Sequence, residues 1–163
     1  MCGVPFHSVD SYIARLVAKG YKVAICEQME DPAAAKGIVE RDITRIVTPG
    51  TVTDSCMLDE TRNNYMACLY GEGGRFGLAF CDVSTGAFFA TVCSDAAAAA
   101  GELGRFSPSE CIRGGNGCDA EELNNALFLR LRCCVDEGKP GDFDLVAAEE
   151  LLQRHFGRTL AEL

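Results

Sequence analysis

Asp82 closes the apolar run Leu78-Ala79-Phe80-Cys81-Asp82. A carboxylate at a strand end could help hold a pair of divalent cations for phosphoryl transfer. Such a site needs several carboxylates converging. Other acids, among them Glu102, Glu121, Glu122, Asp144, Glu149 and Glu150, fall in stretches with helical spacing, and no full cluster is visible. Val83-Ser84-Thr85-Gly86 gives Asp82 a plainer role, accepting hydrogen bonds from the backbone of a turn. Ten cysteines suggest metal or redox chemistry, but no C-x-x-C spacing occurs and most lie in runs such as Val23-Ala24-Ile25-Cys26. There a reduced thiol acts as a small hydrophobe, which fits a reducing compartment. His7 and His155 are too few for zinc-finger or zinc-ribbon ligation. His7 beside Ser8 is no catalytic pair, because neighbours in sequence do not build a triad. Gly71-Glu72-Gly73-Gly74 lacks the lysine and the following helix of a phosphate cradle, and no P-loop signature occurs.

Binding by charge is the other chemistry to weigh. The net charge is −9 and divides unevenly. Residues 1–54 hold six Lys/Arg and seven Asp/Glu, whereas residues 55–163 hold nine and seventeen. The second part is therefore a poor duplex binder, and only the first could meet phosphate through local cations. Lys36 and Arg41 flank a Gly-containing loop and suit backbone contact; the alternative is a solvated surface with Glu40 pairing either one. Gly3 could bring backbone N–H groups close to phosphate, or could serve a strand-to-helix turn. Arg45 sits in the next strand and reads as structural.

The elements that must position these residues follow from periodicity. Ser8 reads as an N-cap, Val9, Tyr12, Ile13, Leu16 and Val17 as one helix face, and Gly20 as its C-terminal stop. Strands are predicted over 21–28 and 43–47, then at 65–70, 76–82 and 87–93 with short Gly-containing connections, which imply an antiparallel meander. Helix 95–105, strand 110–113, helix 120–130, strand 131–135 and helix 143–156 complete the order. In that last helix Phe143, Val146, Ala147, Leu151 and Leu152 share one side. The order β-β-β-α-β-α-β-α after residue 64 is that of a ribonuclease H-like α/β fold with a mixed sheet. The first 54 residues supply too little chain to close a core, so the sequence is expected to be a fragment starting inside a domain. No stretch approaches the roughly 20 apolar residues of a membrane span. Met1-Cys2-Gly3-Val4-Pro5 has no signal-peptide character, so a cytoplasmic protein without membrane contact is expected.

Met1-Cys2-Gly3-Val4-Pro5-Phe6-His7, Val23-Ala24-Ile25-Cys26-Glu27-Gln28, Lys36-Gly37-Ile38-Val39-Glu40-Arg41 and Arg45-Ile46-Val47-Thr48-Pro49-Gly50-Thr51 together resemble the bacterial MutS mismatch-repair family. Asp82-Val83-Ser84-Thr85-Gly86 extends the likeness more weakly. The resemblance implies an incomplete α/β mismatch-recognition domain over 1–54 and a ribonuclease H-like connector domain over 55–163. It implies DNA contact at Met1, Gly3, Lys36 and Arg41, with no catalytic or metal-binding residue. The family's Phe-x-Glu wedge would lie before Met1, since Phe6 is followed by His7 and Ser8. Its nucleotide site would lie downstream, so this part is not expected to be an enzyme or to hold a cofactor, whereas the parent uses ATP and magnesium. The implied partners are mismatched double-stranded DNA, a second parent copy and a downstream mismatch-repair protein at the connector. Two other readings stay open: a metal-dependent nuclease of ribonuclease H-like type, and a protein-interaction module unrelated to DNA.

Overall fold

The computed structural model describes residues 2–30, 37–54, 57–59, 61–139 and 141–162. A 3-10 turn, Phe6–Ser8, leads into helix α1, Val9–Val17. Ser8 does not cap it: the Ser8 hydroxyl turns back to donate to Pro5 O at 3.1 Å. Gly20, at φ +81°, ends the segment in the left-handed region that glycine favours. Strands β1, Val23–Gln28, and β2, Arg41–Val47, pair antiparallel. Register is kept from Val23↔Val47 to Ile25↔Arg45 and resumes at Cys26↔Ile43, leaving Thr44 as an extra residue. That bulge reverses the alternation of β2. Val47 faces inward with Val23 and Ile25 toward α1, while Ile43, Ile46 and Arg41 share the outward face with Cys26 and Gln28.

The second unit is a five-stranded mixed sheet. Strands β3, Met66–Glu72, β4, Arg75–Asp82, and β5, Ala87–Cys93, form the expected meander. Gly73 and Gly74, at φ +58° and +79°, make the tight turn joining β3 to β4, as a hairpin of this twist requires. Strands β6, Glu110–Gly115, and β7, Cys134–Glu137, lie parallel to β3, giving the order β5-β4-β3-β6-β7. This is the mixed ribonuclease H-like sheet expected from the element order. Helix α2, Ala96–Phe106, is capped by Asp95, which accepts from Ala98 N at 2.8 Å. Helix α3, Glu121–Asn124, continues into a wider π turn, Asn125–Arg130, where the sequence predicts one regular helix. The loop after it delays β7 to Cys134, later than the predicted 131.

One sheet face carries the main core. Ala67, Leu69, Phe76, Leu78 and Phe80 pack under Ala99, Leu103, Leu123 and Leu127. Each such leucine, fully buried, contributes about 2 kcal/mol. Phe106 stacks on Phe80 at 4.1 Å. The opposite face is thinly covered by helix α4, Leu145–Phe156. No residue of α4 is buried, and Val146 and Leu151 stay exposed although the periodicity groups them as a packing face. Contact with the sheet comes at the helix's two ends, Phe143 stacking on Tyr70 at 5.1 Å and Phe156 lying 6.0 Å from Phe88.

Candidate nucleic-acid interface and the junction behind it

Met1 and Lys36 lie outside the described residues. Gly3 is exposed in an extended segment, with no neighbour within 4 Å of where a Cβ would sit and no left-handed φ. Neither turn geometry nor close packing within the chain therefore calls for glycine there. Arg41 opens β2 opposite Gln28, is exposed, and donates from Nη1 to Val39 O at 3.1 Å. It makes no ion pair with a described residue. Arg45 points to the other face and ties β2 to the following loop, donating to Thr53 Oγ1 at 3.2 Å and pairing with Asp54 at 3.4 Å. The outward face thus presents a guanidinium without an ion pair among the described residues, beside exposed Ile43 and Ile46.

Behind this face the two units meet through a carboxylate that the sequence reading treats as an ordinary strand residue. Glu110, the first residue of β6, is only 2% exposed. Its partners come from the first unit. Lys22 Nζ lies 2.9 Å from Oε1, Gly50 N donates to Oε2 at 3.0 Å, and the Thr48 hydroxyl donates to the same oxygen. Lys22 also pairs with Asp136 of β7. The single Thr48 hydroxyl proton goes to Glu110, so Thr51 Oγ1, 2.8 Å away, donates to Thr48 Oγ1 while accepting from Thr48 N. A buried charge is tolerated only when paired and fully hydrogen-bonded, and this one is both. Gly50 is required by space: a Cβ there would come 2.9 Å from the Cβ atoms of both Glu110 and Met66. Asn64 adds a second tie, donating to Pro49 O at 2.9 Å and accepting from Ser109 Oγ at 2.6 Å. The signals available in sequence were an acid heading a strand of cysteine and isoleucine, and the Thr-Pro-Gly-Thr turn. Their sequence separation of 60 hides the pairing.

Burial pushes the Lys22 ammonium down, but hydrogen bonds and charge from Asp136 and Glu110 outweigh it and hold its pKa above the ordinary lysine range. Asp82 is fully buried at the end of β4. It accepts from Ser84 N at 2.9 Å, Ser84 Oγ at 2.6 Å, and the amides of Thr85 and Asn64 at 3.3 Å. Burial pushes this carboxyl up, yet those donors win and hold it below the usual carboxylate range. The carboxylate expected from sequence as a turn residue occupies that role. Among the described residues, no three His, Cys, Asp or Glu side chains converge as metal ligands would. The thiols also follow the core reading: burial pushes Cys111 up strongly and Cys133 up to about 12, far from a reactive thiolate.

A helix-backed strand pair locked through a buried carboxylate to a five-stranded mixed sheet defines a two-unit α/β protein. Residues 1–56 match the family model for MutS domain I, and residues 64–162 match that for MutS domain II. The chain belongs to the MutS family. Among its curated relatives is a DNA mismatch repair protein MutS from Ruminiclostridium cellulolyticum, 46% identical over 96% of this chain and 18% of the relative. One from Clostridium perfringens is 54% identical over 96% of this chain and 17% of its own length. One from Caldanaerobacter subterraneus is 41% identical across 100% of this chain and 19% of its own length. The chain thus spans less than a fifth of these relatives. No helix among the described residues is long and apolar enough to cross a membrane.

Proposed function

We propose that this chain supports the reading of mismatched double-stranded DNA within a longer mismatch-repair protein. In this reading residues 1–54 complete a mismatch-recognition domain, and residues 55–163 form the connector that carries it. Gly3 and Arg41, with Met1 and Lys36, approach the phosphate backbone and position it, which fixes register without reading bases. The connector transmits position to the rest of the parent, which supplies ATP and magnesium chemistry and the dimer. Its acidic surface receives a downstream repair protein. The chain itself catalyses nothing and works in the cytoplasm.

The observation that supports this reading best is the junction at Glu110. A turn of the first unit is buried against the second by one carboxylate with three partners, so the orientation of one unit is passed to the other. The test is a gel-shift titration of the chain with matched and mismatched duplexes. Binding should be weak and equal for the two. Arg41→Ala should weaken both alike and reduce the salt slope by about one. A clear preference of the chain for the mismatched duplex would contradict a purely supporting role.

A further inference from the structure

A cleft of about 760 Å³ opens between the two units beside the junction. Its wall gathers Lys19, Arg62, Arg130 and Arg132 against Asp59, the one acid among the described residues that line it. In a chain with 15 Lys/Arg and 24 Asp/Glu, that local balance is reversed. Arg62 is engaged by Asp59 at 3.2 Å. The other three make no side-chain hydrogen bond or ion pair with a described residue.

The backbone at this wall is unusual. The two described non-glycine residues with positive φ, Ser107 at +49° and Arg132 at +51°, both line the cleft. Glycine is what such helix-ending positions favour, yet a hydroxyl and a guanidinium stand there. Arg130 ends the π turn, a helix form that is rare and concentrates at functional sites. The rival explanation is capping. The C-terminal ends of α1, of α2 and of the π turn border the cleft, and each favours a nearby cation. Three such ends carry about −0.5 charge each, which leaves the three net positive charges about half uncompensated.

We propose that this cleft is a binding site for a polyphosphate anion, held by Lys19, Arg130 and Arg132. Guanidinium groups bind phosphate oxygens in pairs and suit adjacent phosphoryl groups. Among the described residues no aromatic side chain lines the wall, so bases are not stacked and recognition is by charge. The larger apolar residues that reach the wall, Val17, Val52, Met57, Leu58 and Leu131, belong to or pack against the cores of the two units, which leaves less of them to hold an apolar peptide. The volume falls in the small-ligand range of roughly 300–1,000 Å³, enough for a nucleotide's phosphate tail or a short stretch of nucleic-acid backbone but not for a duplex.

The test is calorimetric titration of the 163-residue chain with inorganic tripolyphosphate, a nucleoside triphosphate, a short single-stranded oligonucleotide and a polyglutamate peptide. Tripolyphosphate should bind one to one and more weakly as salt rises. Arg130→Gln with Arg132→Gln should weaken it by about tenfold or more, and Arg75→Gln, outside the cleft, should leave it unchanged. Arg132→Gly separates the proposal from capping, because it relieves the backbone and should raise the melting temperature while still weakening the anion. An oligonucleotide that binds more tightly than tripolyphosphate assigns the site to nucleic-acid backbone, and a nucleoside triphosphate equal to tripolyphosphate assigns it to nucleotides. The absence of tripolyphosphate binding, equal binding in the glutamine variant, or tighter binding of polyglutamate would each overturn the proposal.

Discussion

The two units bury their chains to very different depths. The five-stranded unit has a continuous core running from Ala67 to Cys133, with Leu69, Leu103, Leu123 and Leu127 fully shielded. The first unit buries Ile13, Val17, Val47 and Val52 and leaves most of β2 exposed. Two strands and a helix are marginal on their own. The difference teaches that the first unit's order is borrowed: Thr48, Gly50 and Lys22 are held in place by a carboxylate belonging to the second.

Substitutions can break that contrast. Leu103→Ala should open a cavity in the core of the stronger unit and cost about 2–5 kcal/mol, lowering the denaturant midpoint of the whole chain. Glu110→Ala should cost about 1–3 kcal/mol by leaving the Gly50 amide and the Thr48 hydroxyl without their acceptor, while Lys22 keeps Asp136. Chemical denaturation followed by separate probes on the two units should then show the first unit melting before the second. A single coincident transition would mean that the first unit does not lean on Glu110. Gly50→Ala should act in the same direction by overpacking against Glu110 and Met66, by about 1–3 kcal/mol.

A smaller effect is written in pH. The folded pKa of Asp82 is depressed, so its contribution is present above the unfolded value, near about 3.9, and fades as pH falls through the lower folded value. Asp82→Asn should remove that part of the acid dependence, read as melting temperature below about pH 4. Lys22 has the opposite sign. Its raised folded value makes its contribution complete at neutral pH and lost only on titration beyond the ordinary lysine range. The smallest effect is on thiol reactivity. Exposed Cys2 should label quickly at neutral pH, whereas Cys133, pushed up to about 12, should label only on unfolding.

Locally specified features could be read from the chain. Ala87–Cys93 is a strand from end to end as its apolar run implies, and Gly73-Gly74 turns the hairpin. Asp82, with Ser84 and Thr85 directly following, forms its turn from neighbours. Features set by distant partners were hidden. Nothing near Glu110 in sequence announces Lys22, Thr48 or Gly50. The π turn at Asn125–Arg130 has the composition of a regular helix, and the bulge at Thr44 has no glycine to mark it. The apolar residues of α4 have the spacing of a buried face, but spacing does not state whether anything lies against it. Of the four residues expected at DNA, the described ones, Gly3 and Arg41, are exposed, a condition their sequence context permits without requiring.

The central claim is that Glu110 holds the first unit in register with the second. Hydrogen exchange of backbone amides in the native chain and in Glu110→Ala measures it residue by residue. Protection should fall across β1, β2 and Thr48–Thr51 and persist in β3 and β4. Unchanged protection of the first unit, or an equal loss in both, would contradict it.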